Sequence, residues 1–240
     1  MDYILFLQKH FRVAILLICL SLFTATLKAQ AVVMEFHPDS LTNKKIIDLK
    51  NNYGNKKLLP IGFEKQALIA LSYFPELRDI KIQFRVKNKI TPLATRPSVI
   101  GMFRKAQKRR YIVTISKNSI SFLDSIILQN LNYNAQIGVL GHELGHVLDF
   151  SKKSIGGMYN VIFGHLSKKY TDRFEFNTDQ ICIDHGLGYQ LLAWSANVRE
   201  NLKTINWQGA DNLLPSAKNE RYMNPSTIIS IISTHPLYQK

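Results

Sequence analysis

The chain has 240 residues, of which 46% are hydrophobic and 20% are charged, and its formal net charge is +14 at pH 7. This composition predicts one globular domain with a sizeable core, and two cysteines exclude a disulfide framework. The positive charge favours either an anionic partner or a lysine-rich solvated surface. Because no nucleic-acid module and no basic repeat interleaved with aromatics is visible, we prefer the solvated surface and expect no nucleic-acid partner.

Residues 1–29 have the pattern of a secretory signal peptide. Lys9 and Arg12 belong to a basic start, and the apolar run over residues 13–27 is short for a membrane span. Cleavage would leave residues 30–240 as one exported domain in the periplasm, the cell envelope or the medium. The alternative is an uncleaved N-terminal anchor that associates the protein with a membrane.

The apolar spacing of the remaining chain predicts helices and strands in an α+β order. Before the central motif we expect a short helix over residues 41–51, a helix over 62–77, strands over 80–87 and 111–116, a loop over 88–110 and a short helix over 123–131. Asn132 or Asn134 is suited to cap the next helix by accepting a hydrogen bond from a first-turn amide, and this helix extends to about Phe150. Its predicted buried stripe consists of Ile137, Leu140, Leu144, Val147 and Leu148.

An H-E-x-x-H motif, His142-Glu143-x-x-His146, lies within this helix. A spacing of four places both imidazoles on one face, one turn apart. This arrangement is typical of sites where the two histidines bind one Zn²⁺ and the glutamate acts as a base toward water held by the metal. The alternative is a core helix with two hydrogen-bonded histidines. The glycines among residues 138–145 indicate close approach of a neighbouring element.

A catalytic zinc site needs a third protein ligand and an open position. Four downstream residues are candidates, namely Asp149, His165, Glu175 and His185. Glu175 is the strongest, because Asp179 follows one turn later on the same face and can accept a hydrogen bond from the free ring N–H of a metal-bound histidine. Asp149 is a secondary candidate, either as a ligand or as a carboxylate that supports a ligand.

Four segments form a familiar series: Asn134 to His146, Glu175-x-x-x-Asp179, Gly188-Tyr189 and Ser233-Thr234-His235-Pro236. Through them the chain resembles the CAAX-prenyl-protease and HtpX-like gluzincin zinc metalloendopeptidases over about residues 130–236. The resemblance implies a zincin-like α+β fold, in which a small sheet packs on the H-E-x-x-H helix and a second helix carries the third ligand. It also implies that zinc binds His142, His146 and Glu175, that Glu143 is the general base and that His235 lies near the oxyanion.

These patterns predict a zinc-dependent metalloendopeptidase whose partner is a peptide or protein substrate. The strand over residues 111–116 is a candidate edge for an extended substrate, although its sequence equally fits an interior strand. The basic loop over residues 104–110 would favour acidic substrates or an anionic surface. Two alternatives remain, a non-catalytic zinc-stabilised binding module and a basic surface-binding protein of the cell envelope. Glu143 favours the enzyme, because a structural zinc site does not need that carboxylate.

Overall fold

The structure is a computed structural model that describes residues 31–205 and 220–239. These residues form nine α-helices and one four-stranded mixed sheet. The α+β class is therefore confirmed. Ala31–Lys240 is one compact unit, and the predicted signal peptide lies outside the described residues. Within the described ranges, no helix has both the length and the apolar character needed to cross a membrane.

The sheet consists of β1 (Lys57–Leu58), β2 (Lys81–Lys87), β3 (Leu93–Pro97) and β4 (Arg110–Ser116), in the spatial order β1-β2-β4-β3. β1, β2 and β4 run parallel, and β3 pairs with β4 in the antiparallel direction. The strands predicted over 80–87 and 111–116 are present. β3 lies within a stretch that we expected to be a loop. It is short and ends in Pro97, which cannot donate to a ladder and is tolerated on an outer strand.

β4 pairs with a strand on each side, so it is an interior strand. The expectation that residues 111–116 form a substrate-facing edge is therefore wrong. Buried Tyr111, Val113 and Ile115 make β4 apolar enough to be covered, and this apolar content is what the interior of a mixed sheet requires. The strand that ends the sheet on that side is β3.

The helices are α1 (Asn43–Tyr53), α2 (Glu64–Ser72), α3 (Val99–Met102), α4 (Ser121–Asp124), α5 (Tyr133–Lys152), α6 (Ile155–Gly164), α7 (Lys168–Asp184), α8 (Gly188–Thr204) and α9 (Pro225–Thr234). α2 ends earlier than predicted, because Pro75 disfavours helical backbone at the preceding residue and begins a separate 3-10 turn. The helix predicted over 123–131 is instead the single turn α4 and a 3-10 turn at Leu128–Asn130.

α5 is the helix around which the domain packs, with contacts to α2, β3, α7 and α8. Asn132 caps it, since its side-chain oxygen accepts a hydrogen bond from the Ala135 amide at 2.9 Å. The predicted stripe is confirmed, and every member is buried: Ile137, Leu140, Leu144, Val147 and Leu148. Each such side chain contributes about 1.5–3 kcal/mol when fully removed from water. α5 is thus held rigidly on several sides.

Three glycines let the neighbouring helices approach α5 closely. A Cβ at Gly138 would lie 2.1 Å from the Gln190 carbonyl oxygen of α8. A Cβ at Gly141 would lie 2.7 Å from a Leu187 methyl, and one at Gly145 would lie 3.0 Å from a Thr178 methyl of α7. Real Cβ atoms essentially never make contacts as short as those at Gly138 and Gly141, and the contact at Gly145 would be tight, so close helix packing offsets the loss of helix propensity at these positions.

The C-terminal end of α5 is fixed by Arg109, which precedes β4. Its guanidinium is buried and donates from Nη1 to the carbonyl oxygens of Phe150 (3.0 Å) and Lys153 (2.7 Å). Its Nε donates to the carbonyl oxygen of Arg104 at 2.9 Å. Carbonyls in the last turn of a helix have no intrahelical partner, so a buried cation satisfies them and opposes the negative end of the helix dipole. Within the basic segment 104–110, Arg109 therefore stabilises the fold.

Candidate metal centre

His142 and His146 lie on the face of α5 that is turned toward α7, and both are buried. Their ring centroids are 4.7 Å apart and nearly perpendicular, as the one-turn spacing requires. Glu175 of α7 places Oε2 at 3.1 Å from Nε2 of His142 and at 3.1 Å from Nε2 of His146. One ligand atom from each residue lies within 4.8 Å of the others, so this cluster could hold a metal ion. The sequence-based choice of Glu175 as the third member agrees with this geometry.

The other ring nitrogens define the tautomers. Nδ1 of His142 donates to Oδ1 of Asp179 at 2.8 Å. Nδ1 of His146 lies 3.1 Å from the Thr178 hydroxyl, which itself donates to the Phe174 carbonyl oxygen at 2.9 Å and so accepts from the ring. With a cation at the centre of the cluster, both rings would carry their proton on Nδ1 and turn the lone pair of Nε2 toward that cation. This is the orientation that metal-binding histidines require.

The electrostatics of the cluster call for a positive charge at its centre. Two Nε2 lone pairs and a carboxylate oxygen face one another, an arrangement that is repulsive unless a cation or shared protons lie between them. Burial alone would lower the pKa of His142, but hydrogen bonds to Asp179 and Glu175 outweigh it and raise that pKa to about 10. Burial would raise the pKa of Glu175, but hydrogen bonds to both rings outweigh it and hold that pKa well below its usual range. The donor set fits a divalent metal.

Glu143 is the only motif residue that the cluster does not engage. Its side chain is 5% exposed, and its Oε2 is buried without a hydrogen-bond partner among the described residues. An unpaired buried carboxylate oxygen is costly and therefore rare. Glu143 and His142 both border a cavity of about 230 Å³. The unpaired oxygen thus lies beside the cluster of His142, His146 and Glu175 and borders the cavity.

The wall of this cavity is mostly apolar, and its members come from distant parts of the chain: Leu93, Leu123, Ile126, Val139, Leu191, Trp194, Val198, Leu202, Met223 and Ile228. Leu93 brings the outer strand β3 to the rim. The Trp194 ring lies 5.1 Å from the His142 ring, and the Tyr222 ring lies 5.7 Å from it. The two aromatic rings contact each other edge-on at 5.6 Å. They form one side of the metal cluster.

Asp179 joins this wall to the metal cluster. Oδ1 accepts from His142, and Oδ2 accepts from the Met223 amide at 2.7 Å. Arg221, two residues before Met223, donates from Nε to Oδ1 of Asp172 of α7 at 2.7 Å. Tyr222 is held between these two contacts, and burial, followed by the nearby carboxylates of Glu175 and Glu143, raises its pKa well above the usual value. Its hydroxyl therefore remains protonated at neutral pH.

Sequence reasoning missed Trp194, Tyr222 and Thr178. Thr178 carried a usable signal, because it lies three residues after Glu175 and hence on the same face of α7. Trp194 and Tyr222 had no local signal, since their role depends on how α8 and residues 220–224 pack against α5.

His235 is not part of the cluster, so its expected position near an oxyanion is wrong. Its Nε2 lies 3.4 Å from Oδ1 of Asp184, and its Nδ1 accepts from the Leu237 amide. Asp184 follows Glu175 by nine residues on α7, which is about 13 Å along the helix axis. The 3-10 turn Pro236–Tyr238 directs the His235 side chain to the far end of α7.

The other candidates also lie elsewhere. Asp149 pairs with Lys153 and has no hydrogen bond to either ring of the cluster among the described residues. The Nδ1 positions that it was expected to support are taken by Asp179 and Thr178. His165 bonds through Nδ1 to a backbone carbonyl of its own helix, and its ring packs edge-on against Phe174 at 5.0 Å. His185 stacks on Phe74 at the C-terminal end of α7.

Comparison with known proteins gives no assignment: no protein-family model, no curated protein and no solved structure matches the chain.

Proposed function

We propose that the protein is a zinc-dependent metalloendopeptidase with a zincin-like arrangement, in which α5 and α7 supply the metal ligands and the sheet supplies a substrate edge. The observation that carries the proposal is the convergence of three ligand atoms, Nε2 of His142, Nε2 of His146 and Oε2 of Glu175, beside the unpaired Oε2 of Glu143. Two imidazoles and one carboxylate are a known donor set of catalytic zinc sites. Among the residues that the structure describes, no fourth protein ligand joins these three, so one coordination position is open to water or substrate.

Each residue of the cluster has a separate task. His142, His146 and Glu175 hold the ion, while Asp179 and Thr178 fix the two imidazole rings from behind. Zinc at this position would supply Lewis acidity, which would polarise a carbonyl and lower the pKa of water toward about 7. Glu143 accepts the proton of the attacking water at its free oxygen and delivers it to the leaving amine. The protonated hydroxyl of Tyr222, rather than His235, is the proposed hydrogen-bond donor to the developing oxyanion.

β3 is the proposed substrate edge. Among the described strands it pairs only with β4, and Leu93 at its start borders the cavity. An extended peptide can add to such a strand through main-chain hydrogen bonds, which are independent of its sequence. The apolar cavity next to Glu143 then receives one side chain of the substrate.

A non-catalytic zinc module is the main alternative, and Glu143 argues against it. A structural site is closed by four protein ligands and has no use for a buried carboxylate oxygen without a partner. The cavity beside the cluster would likewise have no purpose in a site that only stabilises the fold.

The test is the Glu143→Gln variant, with Glu200→Gln on the exposed face of α8 as the control. Zinc content and the cleavage of a mixed peptide library are measured for both variants and for the unsubstituted chain. We expect Glu143→Gln to retain zinc and to lose cleavage by a factor of about 10²–10⁴, the usual contribution of a general base. Glu200→Gln should match the unsubstituted chain. Full activity of Glu143→Gln, or no cleavage by the zinc-loaded unsubstituted chain, would contradict the proposal.

A further inference from the structure

α6 carries an exposed apolar stripe. Ile155, Tyr159, Ile162 and Phe163 follow the spacing of one helical face, and Leu166 continues it just beyond the helix. All five are exposed, with Phe163 at 65% and Leu166 at 85%. The contact of α6 with the core is made on another face, by the buried residues Met158 and Val161. A surface helix normally exposes polar side chains to water. This second, apolar face of α6 therefore indicates a binding surface.

A second exposed apolar segment adjoins this stripe. Val99, Ile100 and Phe103, in and just after α3, are all more than half exposed. The Phe103 ring lies 6.4 Å from the Tyr159 ring of α6. Arg109, which bonds to the end of α5, holds the segment in this place. Together these eight residues form what we call the apolar face. Contiguous exposed apolar surface is rare on proteins that have no binding partner there.

Exposed basic residues adjoin both segments of the apolar face along the chain. Exposed cations follow α3 and flank α6 at both ends: Arg104, Lys105, Lys108, Arg110, Lys152, Lys168 and Lys169. No aspartate or glutamate occurs in residues 80–123 or 150–171, the two stretches that supply the face and its border. An apolar surface with a cationic border is suited to an anionic bilayer, where apolar side chains enter the boundary of headgroups and acyl chains and lysines contact lipid phosphates.

The charge and the apolar character of this face disfavour two other binding partners, a second copy of the chain and nucleic acid. A second copy of the chain, docked on this face, would bring two sets of like charges together, which is unfavourable at short range. Nucleic acid would match the charge but would leave Phe163 and Leu166 without an apolar partner.

We propose that the apolar face docks on a bilayer surface that contains anionic lipid. This goes beyond the proposed hydrolytic function and does not depend on it. α6 begins only three residues after α5 ends, so docking holds the metal-bearing helix close to the lipid.

The test uses tryptophan probes in the full chain. Leu166→Trp places a probe on the apolar face, and Ile61→Trp is the matched control, because Ile61 is equally exposed at 85% but lies outside both segments. Each variant is mixed with vesicles of phosphatidylcholine, alone or with phosphatidylglycerol, whose acyl chains are brominated to quench tryptophan at depth. The N-terminal apolar run and the natural tryptophans are the same in both variants, so they do not contribute to the difference.

We expect quenching of Leu166→Trp in the mixed vesicles, little quenching in phosphatidylcholine alone, and none beyond background for Ile61→Trp. Lys168→Gln and Lys169→Gln should each weaken binding to the mixed vesicles about fivefold, whereas Lys44→Gln and Lys45→Gln on α1 should leave it unchanged. Equal quenching in both vesicle types would overturn the anionic requirement. Absence of quenching at Leu166→Trp, or a dimer in sedimentation that Leu166→Ser dissolves, would overturn the proposal, the latter in favour of a second copy.

Discussion

Two aspartates of α7 each contact a histidine, one in the candidate metal centre and one at the C-terminal corner of the domain. His142 and Asp179 lie 2.8 Å apart, with side chains that are 2% and 1% exposed. His235 and Asp184 lie 3.4 Å apart, with side chains that are 23% and 48% exposed. The residue types are the same, but only the buried pair has a second ring nitrogen that faces other ligand atoms. A candidate metal site therefore differs from a surface contact in its burial and in the number of ligand atoms that face one another, and not in the types of residue.

The largest expected effect is the loss of a ligand. His146→Ala should abolish stoichiometric zinc binding and all metal-dependent cleavage, because two remaining ligands do not make a catalytic site. His165→Ala is the matched control, since His165 packs on the same Phe174 ring at the same centroid distance of 5.0 Å but lies outside the cluster. Zinc per chain after dialysis is the measurement. Equal zinc content in the two variants would contradict the ligand assignment.

The second largest effect is expected on zinc affinity when Asp179 and Asp184 are substituted in turn. Asp179→Asn should weaken zinc affinity about 10- to 100-fold, because the carboxylate fixes the His142 ring and its tautomer. Asp184→Asn should leave the affinity unchanged, since a half-exposed ion pair contributes only about 0–1 kcal/mol. Competition with a fluorescent chelator measures both. If Asp184→Asn were the more harmful change, the distinction between the buried and the exposed pair would fail.

A third prediction concerns stability. Gly138→Ala should lower the free energy of unfolding by about 1–3 kcal/mol or more, because its Cβ would overlap the Gln190 carbonyl oxygen. Gly156→Ala in α6 meets nothing closer than 3.9 Å and should raise it by about 0.5–1 kcal/mol through better helix propensity. Urea denaturation reports both. A stabilised Gly138→Ala variant would show that α8 does not pack as closely on α5 as described.

The smallest effect is expected at the exposed pair. His235→Ala should leave kcat unchanged and shift stability by no more than about 0.5 kcal/mol, the range of ordinary surface substitutions.

Tyr222→Phe should instead reduce kcat about 10²- to 10³-fold if its hydroxyl supports the oxyanion. Kinetics on one peptide substrate decides between them. A large loss of kcat in His235→Ala with an unaffected Tyr222→Phe would restore the role that the sequence suggested for His235.

Local patterns predicted much of the metal cluster. The H-E-x-x-H spacing, the cap at Asn132 and the one-turn spacing of Glu175 and Asp179 are each set within a single helix, so they can be read without knowing the fold. The two longer strands and the α+β order were also predictable, because alternation and apolar runs report burial directly.

The errors lie where distant segments meet. β3 is short and ends in proline, so its pairing with β4 leaves little trace in its own sequence. Tyr222 and Trp194 reach the cluster only because Asp179 binds the Met223 amide and α8 packs on Gly138. The motif around His235 gave no information on the direction of its side chain, which the final 3-10 turn determines.

We propose that His142, His146 and Glu175 hold one zinc ion with an open position beside Glu143. Anomalous diffraction at the zinc edge, from crystals of the zinc-loaded protein, tests it most directly. We expect one peak at about 2.0–2.2 Å from the two Nε2 atoms and the Glu175 carboxylate, with no fourth protein ligand. A peak elsewhere in the domain, or a fourth protein ligand that closes the site, would contradict it.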